Sequence, residues 1–169
     1  MSGILSLPHS QTLTSDTVRH IFTVILVALF FTVLAMVSSA QAIEENATVG
    51  SVKTISGTAH VNRNDMLYTA HIGDHLYKGD TLLTAEKSSM GVIFRDDTIL
   101  SLGSRSEVSI DEFIFDPAHE DVSFMTKVSR GTAQFISGQI AKVAPDKMTV
   151  ETPLSTIGIR GTRFLIKVD

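Results

Sequence analysis

Two histidines and an aspartate form an H-x-x-D-H cluster at His71, Asp74 and His75. Imidazole and carboxylate groups bind divalent metals, and two histidines four residues apart share one face of a helix. The surrounding residues predict strand and turn instead, so this spacing does not direct both rings at one ion. We interpret the cluster as a surface loop. An envelope hydrolase with a metal or serine site at these residues is the alternative function.

Neighbouring carboxylates occur at Asp96-Asp97, Asp111-Glu112 and Glu120-Asp121. Adjacent side chains of a strand point to opposite faces. Such pairs therefore do not flank one bond as the two carboxylates of a glycosidase do. Serines are present, but no G-x-S-x-G nucleophile elbow occurs. The sequence favours a chain that is not an enzyme, with no catalytic residue, no metal ligand set and no cofactor.

Arg160 is the side chain that we single out for recognition. It lies between Gly158 and Gly161, and glycines at this spacing predict a tight turn. A guanidinium held there can donate paired hydrogen bonds to backbone carbonyls or to a carboxylate such as Asp80. In this interpretation the role of Arg160 is structural. The alternative is contact with a partner, for which the predicted binding positions are Arg160, Gly158, Gly161, Thr162, Gly79 and Asp80.

The elements that position these residues are strands. From Val49 onward, apolar and polar residues alternate with a period of two, and Gly, Asp and Asn interrupt the alternation. Turns are predicted at residues 63–65, 77–80 and 95–97. A bulge near Asp111-Glu112 would turn four apolar side chains inward, namely Val108, Ile110, Phe113 and Phe115. About eleven short strands predict an all-β sandwich, jelly roll or β-roll, with a polar connection over residues 141–147.

Composition excludes several classes of function. The chain has 14 Lys and Arg against 18 Asp and Glu, a net charge of −4 and no basic run. Binding to nucleic acid needs clustered Lys and Arg, so we predict no nucleic-acid partner. The absence of cysteine excludes thiol catalysis and thiolate metal sites.

An apolar segment without charges, residues 21–37, lies near the N-terminus. Arg19 precedes it, and Ala40 and Ala42 form an A-x-A cleavage site. We therefore predict a signal peptide over 1–42 with a hydrophobic helix, a short linker over 43–48 and a β domain over 49–169. The mature protein is then periplasmic or secreted. The alternative is an uncleaved helix that anchors it in the inner membrane, although the run is slightly short for a span.

Two blocks of the β region occur in a fixed order. The first is Gly79-Asp80-Thr81-Leu82-Leu83-Thr84, of the form G-D-x-L-x-T, and the second begins Gly158-Ile159-Arg160-Gly161-Thr162, of the form G-[IV]-R-G-T. Between them lies Phe-Arg-Asp-Asp-Thr at 94–98. Together with their order, these blocks make the chain resemble the FecR domain family over about residues 49–168.

The resemblance implies a β-rich exported domain without known catalytic residues. Complete members regulate iron transport through a cytoplasmic anti-sigma segment, one membrane helix and a periplasmic domain that senses an outer-membrane transporter. Only about twenty residues precede the apolar segment here, too few for a folded anti-sigma module. We therefore expect a stand-alone FecR-type domain that binds an envelope protein or glycan without turnover. It would contact a membrane only through an uncleaved N-terminal segment. The alternative is a membrane-anchored regulator of the iron-transport type.

Overall fold

Strands make up most of the part of the chain that the computed structural model describes, residues 47–159 and 163–169 together with Arg19. There are twelve strands: β1 (Thr48–Ser56), β2 (Ala59–Arg63), β3 (Met66–Thr69), β4 (His75–Tyr77), β5 (Thr81–Thr84), β6 (Ser89–Phe94), β7 (Ile99–Leu102), β8 (Glu107–Asp116), β9 (Asp121–Ile136), β10 (Met148–Thr152), β11 (Ser155–Gly158) and β12 (Arg163–Val168). One short α-helix, α1 (Ile140–Val143), and 3-10 turns at Pro117–His119 and Pro145–Lys147 complete the described elements. The predicted all-β class is confirmed, and the predicted signal helix lies outside the described residues.

The long strand β9 connects the two layers of the sheet. Up to Arg130 it pairs with β8, and it also pairs in parallel with β10. From Gly131 onward it pairs with β7 and β12. The strand order is therefore β3-β2-β5-β8-β9-β10-β11 in one layer and β4-β1-β6-β7-β9-β12 in the other. All pairings except β9 with β10 are antiparallel.

Gly131 is the point at which β9 passes from one layer to the other. Its φ is 82°, a backbone conformation that side chains with a Cβ disfavour. A Cβ there would lie 2.5 Å from the Cα of Ser106 and 2.8 Å from the carbonyl oxygen of Arg105. The change of layer therefore depends on a glycine at this position.

Phenylalanines from both layers fill the centre of the sandwich. Phe94 of β6 stacks on Phe113 of β8 at 5.7 Å between ring centroids, and Phe124 of β9 lies 4.6 Å from Phe94. The register of β8 shifts between Ile110 and Glu112, which confirms the predicted bulge. As expected, this shift brings Phe113 into the core together with Ile110, and Phe115 packs against the core.

Three parts of the fold differ from the sequence expectations. Residues 75–77 form a strand, β4, where a loop was expected. β9 is one strand of 16 residues, whereas only short strands were expected. The polar connection expected over 141–147 includes the last three residues of α1, a helix that begins at the buried Ile140. No helix within the described ranges is long and apolar enough to cross a membrane.

Candidate functional site

The turn before β5 carries the first residues of the G-D-x-L-x-T block. The N–H of Asp80 donates to the Tyr77 carbonyl at 3.1 Å, and Gly79 has a φ of 86°, so the predicted turn is confirmed. Positive φ at the third position of a turn favours glycine. The three residues that alternate after it, Asp80, Leu82 and Thr84, all point inward and are buried. The block is thus a turn followed by one inward-facing row.

Asp80 is fully buried, and its carboxylate accepts three hydrogen bonds. One oxygen accepts from Arg63 Nε at 2.7 Å, and the other accepts from Arg63 Nη2 and from the Tyr77 N–H, both at 2.8 Å. This two-pronged hydrogen bond raises the pKa of Arg63 above its ordinary value. The expected carboxylate partner of Arg160 therefore has a different arginine bound to it, one that stands at the end of β2.

Arg63, on the strand next to the edge strand β3, also contacts β4, the edge strand of the other layer. Its Nη2 donates to the carbonyl oxygen of His75 in β4 at 3.0 Å. Its guanidinium lies 4.3 Å from the ring centre of Tyr77, close enough for a cation–π contact. Since β2 and β4 belong to different layers, one side chain holds the two layers together at this side of the sandwich.

A groove of about 690 Å³ lies between these two edges. Its walls come from β2, β3 and β4 and from the loop before β4. Both tyrosines of the chain, Tyr68 and Tyr77, line it. The other lining residues are Val61, Arg63, Leu67, Thr69, His71, Asp74 and His75. Because Tyr offers an apolar ring with a polar end, this groove is the best candidate binding surface among the described residues.

The H-x-x-D-H cluster lines this groove, but its side chains are not arranged around a metal. The Asp74 carboxylate accepts the His71 backbone N–H at 2.7 Å and lies 3.7 Å from His71 Nδ1. Both side chains are well exposed. Within the described residues, no group of three His, Asp or Glu side chains is placed to hold a metal ion. The interpretation as a surface loop holds for residues 71–74, whereas His75 begins β4.

A second buried carboxylate belongs to Asp96, in the turn predicted at residues 95–97. Its oxygens accept from the N–H and the hydroxyl of Thr98, at 3.0 and 2.7 Å, and from the Ile140 N–H at 3.3 Å. The Asp96 carbonyl accepts the Gln139 N–H at 2.7 Å. Asp96 therefore connects the β6–β7 turn to the start of α1 through hydrogen bonds, and this role is structural. No signal in the sequence distinguished it from exposed Asp97.

Most of the other predicted site residues fall outside the described part of the chain. These are Arg160, Gly161 and Thr162 of the second block, and Ala40 and Ala42 of the cleavage site. Gly158 is described: it is the last residue of β11 and pairs with Thr149. A Cβ at Gly158 would meet no atom within 4 Å, so space does not explain a glycine there. Of the predicted binding positions that the structure describes, Gly79 and Asp80 share one turn, whereas Gly158 ends β11.

Comparison with known proteins identifies the family. A family model described as FecR protein matches residues 80–169. The matched segment begins at Asp80, so it contains the second sequence block and all of the first except Gly79, whereas the residues that line the groove precede it. Searches of curated proteins and of solved structures found no match. Because the match spans more than half of the 169 residues, this chain belongs to the FecR protein family of sensing and regulatory modules.

Proposed function

We propose that this protein is an exported, non-catalytic module that binds a protein or glycan at the cell envelope and thereby acts as a sensor. FecR-type domains are typically periplasmic, and they belong to sensing and regulatory systems. The A-x-A site after residues 21–37 agrees with export. In this proposal the β domain acts outside the cytoplasm after the signal peptide has been removed behind Ala42.

The groove between β3 and β4 is the observation that carries the binding role. Its lining residue Arg63 is neutralised by the buried carboxylate of Asp80, and the exposed carboxylate of Asp74 accepts a backbone N–H. These groups are engaged in holding the backbone, which leaves Tyr68 and Tyr77 as the main contact surface. Tyrosine is enriched in binding interfaces because it buries much area at little entropic cost.

Export is tested by fractionating cells that produce the full chain with a C-terminal tag and by measuring the intact mass. We expect the protein in the periplasm or the medium, with Ile43 as its first residue. A membrane-bound form that keeps residues 21–37 would instead favour the anchored regulator. Full-length protein in the cytosol would overturn the export part of the proposal.

Absence of catalysis is tested with the purified full chain on ester, peptide and glycan substrates of the envelope. We expect no turnover above the uncatalysed rate. The matched variants are His75→Ala, in the groove, and His119→Ala, which is exposed in the 3-10 turn after β8 and pairs with Asp116. Turnover that is lost in His75→Ala and kept in His119→Ala, with both variants folded, would establish the hydrolase instead.

A further inference from the structure

The two ends of the strand path meet across the same groove. The path runs from β3 at one end to β4 at the other, and residues of both strands line the groove. We propose that this seam between β3 and β4 accepts an extended, uncharged peptide segment of another protein as an added β-strand. The inference rests on the proposed function, because it names the partner class for the binding module. Strand addition supplies affinity through the backbone and specificity through alternate side chains.

Backbone groups of β3 point into the seam. The N–H of Ala70 donates to the Ala59 carbonyl at 2.9 Å, which fixes the bonded pairs of the β2–β3 hairpin. Bonded and non-bonded pairs alternate along antiparallel strands. Tyr68 therefore bonds to β2, whereas Leu67 and Thr69 direct their N–H and C=O groups away from β2. Both residues line the groove, so an incoming strand meets two donors and two acceptors.

β3 also lacks the features that normally keep an edge strand from pairing. Natural edges carry charges, prolines or bulges against unwanted pairing. The sequence of β3 is Met-Leu-Tyr-Thr, its pairing to β2 is regular, and its three large apolar side chains are exposed. In contrast, the edge strand β12 carries Arg163 and Lys167. An exposed apolar edge without protection marks a surface that a partner covers.

Charge and size select the occupant. Arg63 is neutralised by Asp80, and Asp74 leaves the groove with one net negative charge when histidine is neutral. This charge disfavours acidic segments. The exposed apolar side chains of β3, Met66, Leu67 and Tyr68, favour an apolar, uncharged segment over a basic one. In a dimer formed by pairing β3 with the β3 of a second copy, each chain would contribute a strand of only four residues. Such a contact is small compared with the roughly 800 Å² per partner that a stable dimer buries. A peptide in the seam contacts both edges at once, so we favour it over a second copy.

The test uses the purified full chain and a fluorescent peptide, acetylated and amidated, with Val-Thr-Val-Thr-Val at its centre. Fluorescence anisotropy should show saturable binding with a Kd on the order of 1 mM or tighter, as expected for a weak, transient interface. The same peptide with alternate N-methylated amides should not bind. Hydrogen exchange at the N–H groups of Leu67 and Thr69 should slow when the unmodified peptide is present.

Two proline variants separate the seam from other edges. Leu67→Pro removes a donor that faces the seam, and Thr156→Pro removes the equivalent outward donor of β11, whose register follows from the Ile159 N–H bond to the Met148 carbonyl. Proline is tolerated at such positions because no ladder bond is lost. We expect Leu67→Pro to weaken peptide binding at least tenfold and Thr156→Pro to leave it unchanged.

Several results would overturn the proposal. They are the absence of saturable binding, binding that survives Leu67→Pro, and equal loss in both proline variants. A concentration-dependent dimer that disappears in Leu67→Pro would assign the edge to a second copy instead. If circular dichroism shows that Leu67→Pro does not fold, the test is hydrogen exchange at the Leu67 and Thr69 N–H groups of the unaltered chain. Exchange that the peptide does not slow would overturn the proposal. None of these results contradicts the proposed exported, non-catalytic binding module. Retention of the protein in the cytosol, or turnover of a substrate, would contradict that proposed function.

Discussion

Arg63 at the end of β2 and Asp80, just before the neighbouring strand β5, form a two-pronged ion pair, with Nε–Oδ1 at 2.7 Å and Nη2–Oδ2 at 2.8 Å. The pair is connected to β4 through the His75 carbonyl and the Tyr77 N–H. Asp80 opens the segment that matches the FecR family, and Arg63 lies before it. The pair therefore connects the family core to the strands that build the groove.

We predict that Asp80→Asn destabilises the protein by about 1–3 kcal/mol, because it removes the charge of a buried carboxylate that pairs with the partly exposed Arg63 guanidinium. Urea unfolding followed by circular dichroism measures the change. The control is Glu86→Gln, which removes the partner of Arg105 in an exposed ion pair. That variant should stay within about 0.5 kcal/mol of the original chain, as exposed pairs contribute little. Equal losses in the two variants would contradict the role given to Asp80.

Gly131→Ala should destabilise the protein by about 2–4 kcal/mol, since the added Cβ meets the backbone of Ser106 and the φ of 82° is strained for alanine. The matched control is Gly158→Ala, where a Cβ meets open space. We expect that control to be neutral or slightly stabilising, because it removes freedom from the unfolded chain. Midpoints of thermal unfolding compare the two. A neutral Gly131→Ala would show that β9 changes layers without needing a glycine.

Thr84→Val should cost about 2 kcal/mol although it preserves the shape of the side chain. The Thr84 hydroxyl donates to the Gly103 carbonyl at 2.6 Å and accepts the Ser106 N–H at 2.9 Å. In the variant, the Gly103 carbonyl and the Ser106 N–H both lose their hydrogen bond to the hydroxyl. Away from solvent, an unmade hydrogen bond is costly. Thr81→Val, a half-buried position of the same strand, is the control and should change stability by less than about 0.5 kcal/mol. Urea midpoints that fall equally would contradict this role of the hydroxyl.

The Asp116 carboxylate should titrate below its ordinary value of 3.8, because a hydrogen bond from the His119 side chain at 2.8 Å lowers its pKa. A lowered pKa means that this pair stabilises the fold above the ordinary value, and that the contribution is lost as the pH falls through the lowered pKa. Carbon-detected NMR of the carboxyl group measures the midpoint. His119→Ala should move the midpoint back up, and an unchanged midpoint would contradict the assigned cause. Both side chains are exposed, so we expect no resolvable change in unfolding temperature.

Local features of the fold follow from the sequence because they depend on neighbouring residues. The alternation over Thr81–Thr84 forms β5, and the predicted turn at 63–65 forms with positive φ at Asn64 and Asp65. β4 was missed because His75–Tyr77 is short and its pairing to β1 is irregular. α1 was missed because Ile140 is held by Asp96, a contact between residues 44 positions apart.

The candidate groove was only partly predictable. The sequence indicated Gly79 and Asp80 through their block, but it assigned Arg63 to a turn. Arg63 reaches Asp80 only because β2 lies beside β5, and a pattern of period two does not determine which strands are neighbours. The same limit applies to Tyr68 and Tyr77, which lie on strands that meet only after the sheet has curled.

Binding of a partner at the seam between β3 and β4 is tested most directly with a photoreactive phenylalanine analogue. The analogue is placed at Leu67 in the cells that produce this protein. The control position is Leu165 of β12, which is 65% exposed against 63% for Leu67. After illumination, we predict a cross-link from position 67 to a different envelope protein, and none from position 165. Cross-linking at 165 alone, or at neither position, would contradict a binding module that works through the seam between β3 and β4.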